Sequence, residues 1–325
     1  MERRVKSIED IAQCGALASL LEVAGWPKPG NVHRTSSLEP KFERFLCGAF
    51  LLYEPLLSAA QAGYRAGVRG KVTGWGLGRL LTESYDRGLR WHNEGNTNLG
   101  TAMLLLPLSA GAGLLLSSSG VVDLKRLQNA CETMLQATTV EDAIEFYRLL
   151  RRVGKGWLGK VRGVNAPDVF NARAYVELRR INCTFLHLME ISSHWDAVAC
   201  ELAHSMPLTF GLAYPTLLRD HRKSGNINIA IVNTFLTILA NKADTFVVRK
   251  LKATGVEDAE EKAGKVSEMA REALALGGAS SKEGREALFK MDEEMKREGG
   301  LLNPGSTADI VAAGLMLLLL SGVKI

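Results

Sequence analysis

Five short segments concentrate the residue types that bind phosphate, hold a cation or move a proton. The first, Glu22–Arg34, reads EVAGWPKPGNVHR. Pro27 and Pro29 bracket Lys28 and keep the backbone extended. Gly30 permits a tight turn, and Asn31, His33 and Arg34 follow. A stiff loop bearing Lys, His and Arg suits a phosphate clamp, with a two-pronged guanidinium and a compact ammonium. A proline-rich connector with solvated charges fits the same residues. The second segment, Trp91–Thr101, reads WHNEGNTNLGT and precedes an apolar run. Asn96, Thr97 and Asn98 can cap that helix, and Gly100 allows close backbone approach. The free N–H groups of a helix start attract anions, although capping alone also accounts for the pattern.

The third segment, Arg148–Arg162, carries Arg148, Arg151, Arg152, Lys155, Lys160 and Arg162 with no acid between Glu145 and Asp168. Its positive potential would attract a polyphosphate. It lacks the Gly-Lys-Ser/Thr ending of a P-loop, and a solvated basic face explains it too. The fourth, Asp244–Lys250, reads DTFVVRK and ends a long apolar stretch. An ionised Asp there must be paired, metal-bound or at an edge. Asp244 and Arg249 are five residues apart and do not stack on one helix face, so Arg249 serves another partner. The fifth, Asn303–Ile310, reads NPGSTADI and opens another apolar helix. Ser306 or Thr307 could cap it, with Asp309 in the first turn beside the positive helix end. Hydroxyls and a carboxylate so placed could hold Mg²⁺ with a triphosphate, because Mg²⁺ takes oxygen ligands from one or two carboxylates plus phosphates. His194 and Asp196 flank Trp195 and could line a cleft. No HExxH, GxSxG, Walker or dinucleotide fingerprint occurs.

These segments need rigid elements to position them, and the periodicity predicts helices almost throughout. Phe42–Leu56 follows i, i+3, i+4 spacing, with Pro55 near the end of that helix. Val140–Val153 repeats the pattern behind Thr139, with Glu141 and Asp142 in the first turn. Asp168–Trp195 reads as one long helix. Ile227–Val248 reads as another, apolar nearly all round and therefore central. Val256–Leu276 and Lys282–Glu298 are charged on one face and lie outside, with Ser280 and Glu283 resembling a capping box. Glycine and proline clusters punctuate the helices, and no composition shift or repeat divides the chain. The expectation is one all-α domain over residues 1–325, with a polar cleft formed by helix termini and Gly/Pro-rich loops.

Composition agrees. The chain has 325 residues, 46% hydrophobic and 23% charged, the balance of a globular protein. A net charge of +5 favours anionic ligands without implying a nucleic-acid partner. Five scattered cysteines without a CxxC pair, and a charged start without an apolar leader, point to a reducing cytoplasm. The apolar runs Thr101–Leu116 and Ile310–Val323 are shorter than the ~20 residues of a membrane span, so both are read as buried core helices and no membrane is expected.

Taken in order, PKPGNVHR (Pro27–Arg34), NTNLGT (Asn96–Thr101), DTFVVRK (Asp244–Lys250) and NPGSTAD (Asn303–Asp309) resemble the triphosphoribosyl-dephospho-CoA synthase family, its archaeal branch most. The resemblance implies an all-α fold. It also implies a Mg²⁺-dependent transferase that moves the triphosphoribosyl group of ATP to dephospho-CoA and releases adenine. On that footing Asp244 and Asp309 would hold the metal or the ribose. Lys28, Arg34, Arg249 and Lys250 would bind the triphosphate. Asn31, Asn96, Thr97, Asn98, Gly100, Asn303, Gly305, Ser306 and Thr307 would line the substrates, and Glu22 or His33 would act as base. The bacterial pattern has leucine, valine and aspartate after PKPG, where this chain has Asn31, Val32 and His33. A His and an Asp that follow there are replaced by Thr35, Ser36 and Ser37, and NTHKG is replaced around Asn98 and Leu99. A different acceptor, such as a pterin, and a non-catalytic nucleotide-binding role are the alternatives these departures open.

Overall fold

The computed structural model describes residues 5–36, 41–91, 97–154 and 166–325, and no strand occurs among them. The helices are α1 (Ile8–Ala24), α2 (Phe42–Leu51), α3 (Tyr53–Arg69), α4 (Leu77–Leu89), α5 (Leu99–Ser119), α6 (Leu124–Gln136), α7 (Val140–Val153), α8 (Ala174–Arg180), α9 (Phe185–Ser192), α10 (Ala197–Ala203), α11 (Tyr214–Ser224), α12 (Ile227–Asn241), α13 (Thr245–Ala253), α14 (Ala259–Ala275), α15 (Lys282–Lys296) and α16 (Gly305–Leu320). A single apolar core draws residues from nearly all of them. A small second cluster of Val247, Leu251, Ala259 and Ala263 seals α13 to α14.

Two helices without a polar face organise the core, because a helix apolar all round must be covered all round. α5 packs along α3, and α16 packs on α1, α5, α11 and α12. The α3–α5 contact is set by glycine: a Cβ at Gly63 would lie 1.8 Å from the Ala110 carbonyl oxygen. α5 runs 21 residues, longer than the apolar run alone suggested. By length and composition it could cross a membrane, as could Phe42–Arg69, but 83% of its apolar window is buried inside the protein. Because α5 and α16 cross near their starts, Thr101 and Asp309 meet there.

Local polar groups redraw several expected boundaries. Pro55 begins a helix instead of ending one: it is the third residue of α3, where a missing N–H costs nothing. Asp168–Trp195 is not one helix. Asp168 and Asn171 fold back on the N–H groups of Phe170 and Arg173, and Thr184 caps α9 through His187 N–H. The run Ile227–Val248 breaks after Asn241 and turns by 63° into α13. α15 is capped by Ser281, which accepts from Gly284 N–H, and not by Ser280. Thr139 does form the expected box with Asp142.

Candidate functional site

The Lys28 loop leaves α1 at Gly25. Two contacts from Asn228, at the start of α12, pin Trp26: Trp26 N–H donates to Asn228 Oδ1 at 2.8 Å, and Asn228 Nδ2 donates to Trp26 O at 2.6 Å. The loop then folds inward. Lys28 is fully buried and pairs with Glu22, itself 6% exposed. Burial pushes the Glu22 carboxyl up and the Lys28 ammonium down, each partly restored by the other, and Asp309 draws Lys28 back upward. Asn31 Nδ2 donates to Asn303 Oδ1 at 2.9 Å, which ties the PKPGN turn to the NPGST turn. Two expected members of the first segment do not face a ligand in the same way. Arg34 is exposed. His33 is fully buried, with Nδ1 3.2 Å from Thr35 Oγ1 and Nε2 3.3 Å from Asp292 Oδ2.

Asp244 is not set within an apolar helix. It is the N-cap of α13, which explains how a 4%-exposed carboxylate is tolerated. Oδ1 accepts from Phe246 N–H at 2.8 Å and Val247 N–H at 3.1 Å. Oδ2 accepts from Thr307 N–H at 2.7 Å and Thr307 Oγ1 at 2.8 Å. One carboxylate thus caps its own helix and supplies the first turn of α16 with an acceptor in trans. Ser306 and Thr307 are not caps, since α16 begins at Gly305 behind Pro304. Ser306 Oγ lies 3.4 Å from Thr245 Oγ1, and Thr307 is committed to Asp244.

Asp309 is the fifth residue of α16, just beyond the first turn where it was expected. It accepts from Thr101 Oγ1 on Oδ1 at 2.7 Å. Its Oδ2 lies against Gly100, where an added Cβ would come within 2.0 Å. Burial pushes the Asp309 carboxyl up to about 8. The Thr101 hydrogen bond opposes that rise, and the charges of Glu22, Asp244 and Asp196 add to it. Thr97 and Asn98 stand across from α2: a Cβ on Gly48 would meet Asn98 Nδ2 at 2.2 Å and Thr97 Oγ1 at 2.7 Å. Asn98 begins α5 through its carbonyl, which accepts from Ala102 N–H at 2.9 Å, and not through its side chain. Asn96 and Ser37 lie outside the described residues.

Two cations of α13 diverge. Arg249 NH1 reaches Asp196 Oδ2 at 2.9 Å, while Arg249 Nε is buried without a hydrogen-bond partner among the described residues. Lys250 turns the other way and donates to Gly300 O at 2.6 Å and Asn303 O at 3.0 Å. Burial lowers its pKa to about 7. Lys250 therefore braces the NPG turn that carries Gly305. The basic third segment is largely structural where it is described. Arg148 pairs with Glu145, Arg152 with Asp86, and Arg151 donates to Val169 O and Asn171 O. Lys155, Lys160 and Arg162 lie outside the described residues. Open grooves along α11 and α4 contain none of the site residues.

The structure thus brings Glu22, Lys28, Asn31, Gly100, Asp244, Asn303, Thr307 and Asp309 to one junction of helix ends. Sequence reading set Asp196 beside a cleft without naming its partner, gave Thr101 no role of its own and passed over Asp292. Asp196 carried a signal, because it precedes AVAC and caps α10 through Ala199 N–H. Asp292 carried another: it falls on the buried stripe of α15 with Leu288, Met291 and Met295.

Comparison with known proteins places the chain in a family and a fold. The sequence pattern of the family described as ATP:dephospho-CoA triphosphoribosyl transferase matches residues 8–324. No curated protein matches the chain. A crystal structure from Archaeoglobus fulgidus, provisionally named a triphosphoribosyl-dephospho-CoA synthase, is similar in fold with a TM-score of 0.55. It is 20% identical, and the match covers 84% of this chain and 100% of that one.

Proposed function

The chain belongs to the ATP:dephospho-CoA triphosphoribosyl transferase family, and we propose that the transfer occurs where Glu22, Lys28 and Asp309 meet. The activity is a transferase reaction on two small molecules, ATP and dephospho-CoA. Moving the triphosphoribosyl group breaks the bond between ribose C1′ and adenine. A new bond forms from C1′ to an acceptor hydroxyl oxygen. The hydroxyl proton is lost, adenine gains a proton as it leaves, and positive charge builds at C1′ in between. The protein must therefore supply a base, a seat for the triphosphate and negative charge facing C1′.

Asp309 is the observation that carries this reading. Its pKa of about 8 marks a half-buried carboxylate pressed by neighbouring acids, with Thr101 as its side-chain donor. Such a group gains from a cation. No set of three His, Cys, Asp or Glu among the described residues forms a metal cage. An ion seated on Asp309 and completed by phosphate oxygens and water matches the habit of Mg²⁺. Mg²⁺ bound there would neutralise the triphosphate. Asp244 supports this seat from behind, since four donors already occupy its oxygens. Arg249, ion-paired with Asp196 and partly exposed, would reach the phosphates, with Arg34 at the outer rim. Glu22, raised by burial and balanced by Lys28, takes the acceptor proton. His33, with Nδ1 beside Thr35 Oγ1 and Nε2 close to Asp292, is fully buried and holds the loop instead. Five free thiols suit a reducing compartment, and we place the enzyme in the cytoplasm.

Chromatographic measurement of adenine released from ATP with Mg²⁺ tests the proposal. Adenine should form only when dephospho-CoA is present and should vanish in Asp309→Asn, with the fold retained. Full activity in that variant would remove Asp309 from the site.

A further inference from the structure

α15 reads from sequence as a solvent-facing outer helix, yet one face of it grips the Lys28 loop at four points. Phe289 packs its ring against Trp26, centroids 5.3 Å apart. Asp292 Oδ1 accepts from Gly30 N–H at 3.0 Å. Asp292 Oδ2 faces His33 Nε2 at 3.3 Å and Lys296 Nζ at 2.6 Å. Met295 fills the space over Gly30, where a Cβ would come within 2.4 Å of its terminal methyl. Gly30 has φ +68°, a conformation glycine adopts without strain, so its N–H is aimed by the turn. Phe289, Asp292, Met295 and Lys296 lie three, three and one residues apart, on one helix face.

Asp292 is only 5% exposed. Burial raises its carboxyl, but contacts from His33, Lys296 and Gly30 N–H outweigh that and hold it below the usual carboxylate range. A buried anion costs much unless paired, and here each partner belongs to the loop or to the next turn of α15. We propose that Asp292 is a positioning residue for ATP binding. It would fix the 28–34 loop so that Lys28 sits beside Asp309 and Arg34 stands at the mouth. His33 is its counterpart across the loop, standing 3.3 Å from Asp292 where the bacterial pattern has aspartate. This inference rests on the assignment of the loop to the triphosphate and adds the element that sets its geometry.

Steady-state kinetics of adenine release, varying ATP and dephospho-CoA separately, tests it, with ATP affinity measured by calorimetry alongside. Asp292→Ala should raise the KM for ATP about tenfold while kcat changes less than about threefold. The KM for dephospho-CoA should stay within about twofold of the wild type. Asp292→Asn keeps an oxygen for Gly30 N–H and should recover most of the lost ATP affinity. An unchanged KM and Kd for ATP in Asp292→Ala would overturn the inference. So would an equal rise in both KM values accompanied by a lower Tm, the mark of a merely structural staple. If Asp292→Ala does not fold, Lys296→Gln and His33→Gln decide, since each removes a partner of Asp292: both should raise the KM for ATP severalfold, and a wild-type KM in both would overturn the inference. Failure of the wild type to release adenine would count against the proposed reaction. The calorimetric comparison would still decide the role of Asp292.

Discussion

Asp244, buried at the start of α13, and Asp309, half-buried near the start of α16, are neighbouring aspartates with opposite circumstances. Asp244 accepts four hydrogen bonds and leaves no oxygen idle. Asp309 accepts one from Thr101 and turns its other oxygen toward a glycine. Burial raises both carboxyls, but the value reached by Asp309, about 8, stands with neighbouring acids and little compensation. A saturated buried carboxylate is a structural clamp, and a starved one is available for chemistry. Both belong to motifs shared with one family, so motif membership alone does not separate the roles.

The sharpest break of this comparison is Asp309→Asn, which keeps an acceptor for Thr101 and removes the charge. Turnover should fall about 10³-fold with a Tm no lower than that of the wild type. Gly100→Ala should act in the same direction by crowding Oδ2, with a loss of about 10²-fold. Asp244→Ala should reverse the pattern. Stranding buried donors at two helix starts should cost about 2–4 kcal/mol in urea unfolding, with turnover per folded molecule retained in the cold. An Asp244→Ala variant that melts like the wild type yet loses turnover would make Asp244 a ligand and end the distinction.

Titration gives a finer test. The folded protein holds the Asp309 proton far more tightly than an ordinary Asp of pKa 3.8, so this group's stability contribution is full below that value. It is lost as pH rises toward about 8. Lys250 works in the opposite sense: its folded pKa of about 7 lies below the ordinary 10.5, so stability is lost as pH falls from that value toward 7. Thermal melts of Asp309→Asn should therefore gain most on wild type at pH 8 and converge with it in acid. A constant difference across pH would show that Asp309 does not carry the raised pKa. The smallest effect belongs to Thr101→Val. Removing its hydrogen bond should raise the Asp309 pKa further, moving the acidic limb of the pH–rate profile upward and costing turnover severalfold, about 1 kcal/mol.

Helical class, the caps at Thr139 and the buried character of α5 and α16 were legible because each depends on residues within a few positions. The break at Asn241 was missed because Asp244 reads as an awkward member of an apolar helix until Thr307 is placed opposite it. α15 read as an outer helix because its charges outnumber its apolar residues. Asp292 sits in that helix's buried stripe, and only its partners Gly30 and His33, over 250 residues away in sequence, explain it.

The amino-acid sequence by itself determined the all-helical class, the apolar helices that had to be central and the short polar segments set before them. These are local properties of propensity, periodicity and capping. Tertiary structure alone decided which of those polar groups is spent on the fold and which is left for chemistry. That division depends on how many donors reach each carboxylate across the crossing of α5, α13 and α16, and on what charge stands nearby. Neither quantity is written in the spacing of residues along one chain.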